Sequence, residues 1–142
     1  AAMKNDLSRF RDAHERDYLR ALGEIRNGRK LSHWMWYIFP QLKGLGRSAN
    51  SEYYGIRDLE EARAYLADPI LGGHLITLCE ALLTLETSDP AEVMGHPDDR
   101  KLRSSMTLFA AASDSLGIFR QVLEKYYQGK QDPRTMALLR GR

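Results

Sequence analysis

The sequence predicts an all-α fold: a compact single domain over residues 1–142, with about seven to nine mostly short helices. Three observations point there. Apolar residues recur at intervals of three and four, and almost no stretch alternates with period two. Aspartate followed by proline, a pairing that caps a helix and opens its first turn, occurs at Asp68-Pro69, Asp89-Pro90 and Asp132-Pro133. The chain has 142 residues, 43% hydrophobic and 28% charged, which suits one globular domain with a real core.

Asp6 can cap the first helix, with Leu7 and Phe10 as apolar contacts. Tyr18, Leu22 and Ile25 continue it at helical spacing, and Asn27-Gly28 supplies a stop. Its dense charge keeps the other face in solvent. Then comes Ser32-His33-Trp34-Met35-Trp36-Tyr37-Ile38-Phe39-Pro40-Gln41, which holds both tryptophans. Pro40 disfavours the α region at Phe39, so the stretch reads as a helix of about two turns with an extended exit. In such a helix His33 shares a side with Trp36 and Tyr37. The stretch is either a core plug or a pocket wall, and His33 and Gln41 fit the core least well. Lys43 to Ser48 reads as a flexible turn. Gly44 and Gly46 give it a loose likeness to a phosphate-binding loop, but it lacks the lysine-serine signature of a P-loop.

Asp58 and Glu61 form a capping box for a helix that carries Leu59, Ala62 and Leu66 on one side and stops at Asp68. From Pro69, one apolar row runs Leu71, Leu75, Leu78, Leu82 and Leu85, with Ile76, Cys79 and Leu83 on an adjacent face. Apolar on two faces, this is the expected central buried helix, and Gly72-Gly73 would admit a close backbone. A short helix follows Asp89-Pro90 and ends at Gly95. Asp98 or Asp99 caps the next, which runs to about Ala112 with Leu102, Met106, Phe109 and Ala110 as its core stripe. Phe119, Val122, Leu123 and Tyr126 line another, ended by Gly129. Met136 and Leu139 lie on a last short helix. Ala1 and Ala2 before Met3 read as a remnant of cleavage.

Composition narrows the function classes. A net charge of +2 gives no general argument for nucleic acid. The aromatic run is too short to span a membrane, so no membrane role is expected. The single cysteine, Cys79, forms no intramolecular disulfide. With no signal peptide read, this points to the cytoplasm. His14, His33, His74 and His96 lack paired ligand spacing, so no metal site is expected, and no motif calls for a cofactor.

Two stretches carry what chemistry there is. Asp98, Lys101 and Ser105 share a helix face, with Ser104 beside them. They read as a solvated ladder, as a Ser–Lys nucleophile pair in reversed order, or as an anion site near a helix N-terminus. Arg26, Arg29, Lys30, Lys43 and Arg47 flank the aromatic stretch, either as a charged rim or as phosphate partners beside stacking rings. The candidate ligand-binding residues are His33, Trp34, Trp36, Gln41 and Ser48, together with Asp98, Lys101, Ser104 and Ser105. No catalytic residue is assigned.

From His33-Trp34-Met35-Trp36 through Gly44-Leu45-Gly46-Arg47-Ser48, Tyr54-Gly55-Ile56 and Glu61 to Leu66, and again over Lys101-Leu102-Arg103-Ser104-Ser105-Met106-Thr107-Leu108-Phe109, the chain resembles the bacterial domain-of-unknown-function family eighteen-ten. The likeness covers nearly the whole chain and implies a compact helical fold used in the cytoplasm of bacteria. It implies no activity. Some members are labelled "calpastatin", a disordered protease inhibitor, whereas this composition is that of a packed domain. A fainter similarity, in helical composition and a Trp-plus-Asp-Lys theme, to helical N-glycosidases acting on ADP-ribosyl or riboflavin-precursor substrates implies hydrolytic chemistry.

The reading that results is a small-ligand pocket for an anionic, nucleotide-like or ADP-ribose-like molecule where the aromatic stretch meets the Asp98–Ser105 helix. Hydrolytic or N-glycosidase-like activity is the enzymatic form of it. The alternative is a non-enzymatic module for nucleic acid or a protein partner. The oligomeric state is left open.

Overall fold

The computed structural model describes residues 5–113 and 115–142; Ala1 and Ala2 lie outside them. Among the described residues there are nine helices and no strand. They are α1 (Ser8–Arg26), α2 (Met35–Ile38), α3 (Ala49–Tyr54), α4 (Leu59–Ala67), α5 (Pro69–Thr84), α6 (Pro90–Met94), α7 (Asp98–Ala112), α8 (Ile118–Tyr127) and α9 (Pro133–Arg140).

Four of the aspartates read as caps do what their positions predict, whereas Asp6 lies outside the Leu7 N-cap of α1 and accepts from the Ser8 N–H instead. Asp58 accepts from the Glu61 N–H, and the Glu61 carboxylate accepts from the Arg57 N–H. Asp68 accepts from the N–H groups of Ile70 and Leu71, Asp89 from Ala91, and Asp132 from Thr135. Each leaves fewer orphan donors at a helix start. α1 ends as expected, with Gly28 at φ 81° after Asn27.

Local signals fail in three further places. α2 is one turn of four residues, not about two turns, because Trp34 and Phe39 both leave helical geometry. His33 therefore lies outside the helix. α3 has no apolar row to announce it, and none of its residues is buried. α7 begins with Asp98 itself, after Pro97, so neither Asp98 nor Asp99 caps it. A carboxylate freed from capping can pair elsewhere, and both do.

α5 packs against α1, α4 and α8, while α7 packs against α4, α6, α8 and α9. The core thus has two organising helices rather than the one expected. Their sulfurs meet at its centre, Cys79 Sγ 3.7 Å from Met106 Sδ. Leu71, Leu75, Leu78 and Leu82 are fully buried as the pattern requires. α4 and α5 meet at 90°. At that corner a Cβ on Gly72 would lie 2.2 Å from the Leu66 carbonyl oxygen, so the close approach is real at Gly72. A Cβ on Gly73 meets nothing within 4 Å. No single helix among the described residues is long and apolar enough to cross a membrane.

α1 brings His14 into the core, facing His74 of α5. His14 Nε2 lies 2.8 Å from the Tyr37 carbonyl oxygen and must donate to it. Neutral His14 then accepts at Nδ1 from His74 Nδ1–H, 3.0 Å away. Burial drives the His14 pKa down to about 4, against a weaker upward pull from the Tyr37 carbonyl.

Two predictions follow from this packing. Leu78→Ala should lower unfolding free energy by about 2–5 kcal/mol in a urea titration, through lost burial and a residual cavity. A loss in the range of surface substitutions would remove α5 from the centre. For His14 the unfolded chain takes up a proton near the ordinary value while the folded one does not. Stability is therefore complete above pH 6.5 and lost as pH falls toward about 4. Between pH 7 and pH 5 the loss should be about 2 kcal/mol, and a flat profile would show that His14 titrates freely.

Candidate functional site

The aromatic stretch is held by Glu24, near the end of α1. Its carboxylate accepts from the N–H groups of Leu31 and Ser32 at 2.7 and 2.9 Å, the Ser32 hydroxyl at 2.6 Å, and the Trp34 indole N–H at 2.9 Å. Burial alone would raise the Glu24 pKa, but these donors overcome it and hold the carboxyl at about 2. Trp34 is thereby locked inside, fully buried. Trp36, two residues on, is only partly buried and packs on the edge of the core. Beyond Pro40 the chain is extended: Leu42 forms a parallel bridge with Ile56, and the Ile56 N–H donates to the Gln41 carbonyl at 2.9 Å.

The first turns of α7 lie against this edge. Asp98 pairs with Lys30 at 2.9 Å and more loosely with Lys101 at 3.6 Å. The Lys101 ammonium also stands 5.6 Å from the centre of the Trp36 ring. Lys30 is nearly buried, its side chain 7% exposed, whereas that of Lys101 is 27% exposed. Lys30 is the closer and more buried partner of Asp98, and Lys101 is the looser and more exposed one.

Two clefts adjoin Lys101. The larger, about 530 Å³, has Arg100, Lys101, Arg103 and Ser104 of α7 on one side. Gln41, Leu45 and Gly46 form another wall, and Asp132, Pro133 and Arg134 close it at the start of α9. Four cations thus face one carboxylate. That carboxylate is turned inward: Asp132 Oδ2 accepts from the Thr135 N–H and hydroxyl and lies 3.1 Å from Ser104 Oγ. Arg103 donates to the carbonyls of Lys130 and Gln131, which fixes it without neutralising it. The smaller cleft, about 330 Å³, is lined by Ser32, His33, Trp36, His96, Asp98 and Lys101, among others. A recess of about 10 Å³ beside Trp36 and Gln41 has room for a water and no more.

Of the sequence candidates, His33, Trp36, Gln41, Asp98, Lys101 and Ser104 line one cleft or the other. Three do not. Trp34 is core. Ser105 is fully buried, and its hydroxyl has no hydrogen-bond partner among the described residues. Ser48 caps α3, accepting from the Ser51 N–H at 3.1 Å. Arg100, Arg103, Arg134 and Glu24 were not singled out by sequence. Glu24 left one signal: an acid in the last turns of a helix opposes the helix dipole unless it has donors elsewhere. Among the described residues no three or more His, Cys, Asp or Glu side chains could hold a metal ion.

Residues 4–139 match the family model described as "Protein of unknown function (DUF1810)". The chain belongs to this family. A solved structure of the conserved hypothetical protein Rv1873 from Mycobacterium tuberculosis is 47% identical to the DUF1810 chain. The match covers 96% of this chain and 97% of that one, with a TM-score of 0.94. No curated protein matches. The family resemblance read in the His-Trp-Met-Trp and Lys-Leu-Arg-Ser-Ser strings is therefore established, and it extends to the fold.

Glu24→Ala should lower the stability of this DUF1810 protein by about 2 kcal/mol, since it strands the part-buried donors of Ser32 and Trp34. The carboxyl is depressed, so its contribution is complete above pH 4.5 and lost as pH falls toward about 2. Acid titration followed by tryptophan near-ultraviolet dichroism should show that step in wild type and not in the variant. A step of equal size in both would mean that the carboxylate does not hold the aromatic stretch.

Proposed function

We propose that the cleft between Gln41–Gly46, α7 and α9 binds a small anionic ligand of the nucleotide or ADP-ribose type. One observation carries the reading: Arg100, Lys101, Arg103 and Arg134 line a single concavity against one carboxylate, Asp132, whose Oδ2 is turned to Thr135 and Ser104. Cations gathered in a cleft focus field and suit phosphate oxygens, and the guanidinium groups add bidentate geometry. At about 530 Å³ the cleft lies within the range of small-molecule sites, roughly 300–1,000 Å³.

The geometry supports binding better than hydrolysis. An N-glycosidase-like step needs a carboxylate able to face the sugar. Asp98 is the carboxylate that shares a cleft with Trp36, and it is paired with two ammonium groups. The reversed Ser–Lys pair is not supported either, because Ser105 is sealed in the core while Lys101 faces the clefts. The alternative of a nucleic-acid module draws on exposed Arg26, Arg29, Lys43 and Arg47, which lie outside this concavity.

Lys101→Met tests the reading, since methionine keeps the packing of the stem and deletes the charge. The variant should melt within a few degrees of wild type, while its affinity for ADP falls by about tenfold, the worth of one charge-assisted hydrogen bond. Thermal shift and calorimetric titration provide the two readouts. Absence of any wild-type shift with pyrophosphate, ADP or ADP-ribose would discard the anion cleft. Binding to oligonucleotides that collapses between low and moderate salt would favour the nucleic-acid module instead.

A further inference from the structure

We infer that the smaller cleft, lined by His33, Trp36, His96 and Asp98, is a nucleoside subsite, and that the ligand is a nucleoside diphosphate whose phosphates reach past Lys101 into the cationic cleft. The inference rests on the anion-cleft reading and assigns what the second cleft holds.

Its first support is the contrast between the two tryptophans. Trp34 spends its indole N–H on Glu24 and is fully buried. Trp36 is partly exposed, contributes no hydrogen bond among the described residues, and lines the smaller cleft. A large ring left open at the rim of a core, with its polar edge unused, offers an apolar face and a donor to a ligand. Sequence-tolerant stacking on such a ring is how proteins commonly hold a base.

The second support is placement. The two clefts share Pro97 and Lys101 and no other lining residue. Lys101 is at once beside the Trp36 ring and among the arginines, so a group bound on one side connects across it to a group on the other. The two sides differ in chemistry. The larger has an excess of cations. The smaller mixes an aromatic ring, two imidazoles and a carboxylate that is shared by two lysines. Phosphates suit the first, and a base with its sugar hydroxyls suits the second. At about 330 Å³ the smaller cleft reaches the lower bound for a ligand site by itself, roughly 300 Å³.

Calorimetric titration of the whole chain with pyrophosphate and with ADP separates the two claims. Pyrophosphate reports the cationic cleft alone; ADP adds the nucleoside without adding phosphates. ADP should bind at least tenfold more tightly. Trp36→Leu and, separately, His33→Ala should remove most of that gain while leaving pyrophosphate affinity unchanged. His33 is exposed, so its substitution leaves the core intact. Arg134→Ala should weaken both ligands. If pyrophosphate binds as tightly as ADP, or if the ADP gain survives both substitutions, the nucleoside subsite is overturned and the anion cleft stands. If neither ligand binds, the cleft reading fails and takes the subsite with it.

Discussion

The Glu24 carboxylate is the constraint on which the candidate site depends. Four donors from residues 31–34 converge on it. A carboxylate this close to the core would be costly to desolvate without them. With them it fixes how the chain leaves α1 and which tryptophan turns inward. Trp34 goes to Glu24 and the core, and Trp36 is left at the rim beside Lys101. The packing of His14 under the Tyr37 carbonyl secures the other end of the same short turn.

α7 reconciles two demands on one helix. Its later turns are buried among other helices, where Phe109 lies between Tyr65 of α4 and Phe119 of α8. Its hydroxyls are matched where they meet α9: Thr107 accepts from the Asp132 N–H at 2.9 Å, and Ser104 lies beside the Asp132 carboxylate. Those contacts bring the start of α9, and Arg134 with it, to the N-terminal half of α7. The cationic cleft is therefore a consequence of how two helices are joined. Asp132, which closes this joint through Thr135 and Ser104, keeps its charge, so the cleft sets four cations against one carboxylate.

Much of the fold was legible in the sequence, and the reason is local. The Asp-Pro pairs, the capping box and Asn27-Gly28 act within a few residues, so spacing alone reveals them. The leucine row of α5 likewise declares its buried face from Leu71 to Leu82, although Ile76, Leu83 and Leu85 are only partly buried. α3 stayed hidden because a short helix with no buried residue leaves no hydrophobic period. Asp98 and Asp99 were misassigned as caps because a carboxylate near a helix start can either cap or pair across space. The sequence does not contain the position of Lys30 that decides it.

The candidate site divides in the same way. The concentration of unusual residues in Ser32–Gln41 and Asp98–Ser105 was visible, because aromatic density and a lysine-serine face are properties of composition and spacing. The sequence by itself determined most of the helices, the family and the two segments of interest. Only the tertiary structure decided which members face outward. It buried Trp34 and Ser105, sent Ser48 to cap a separate helix, and gathered Arg100, Arg103 and Arg134 from α7 and α9 around Lys101. Burial and the meeting of charges depend on contacts between residues far apart in the chain, and no local pattern records them.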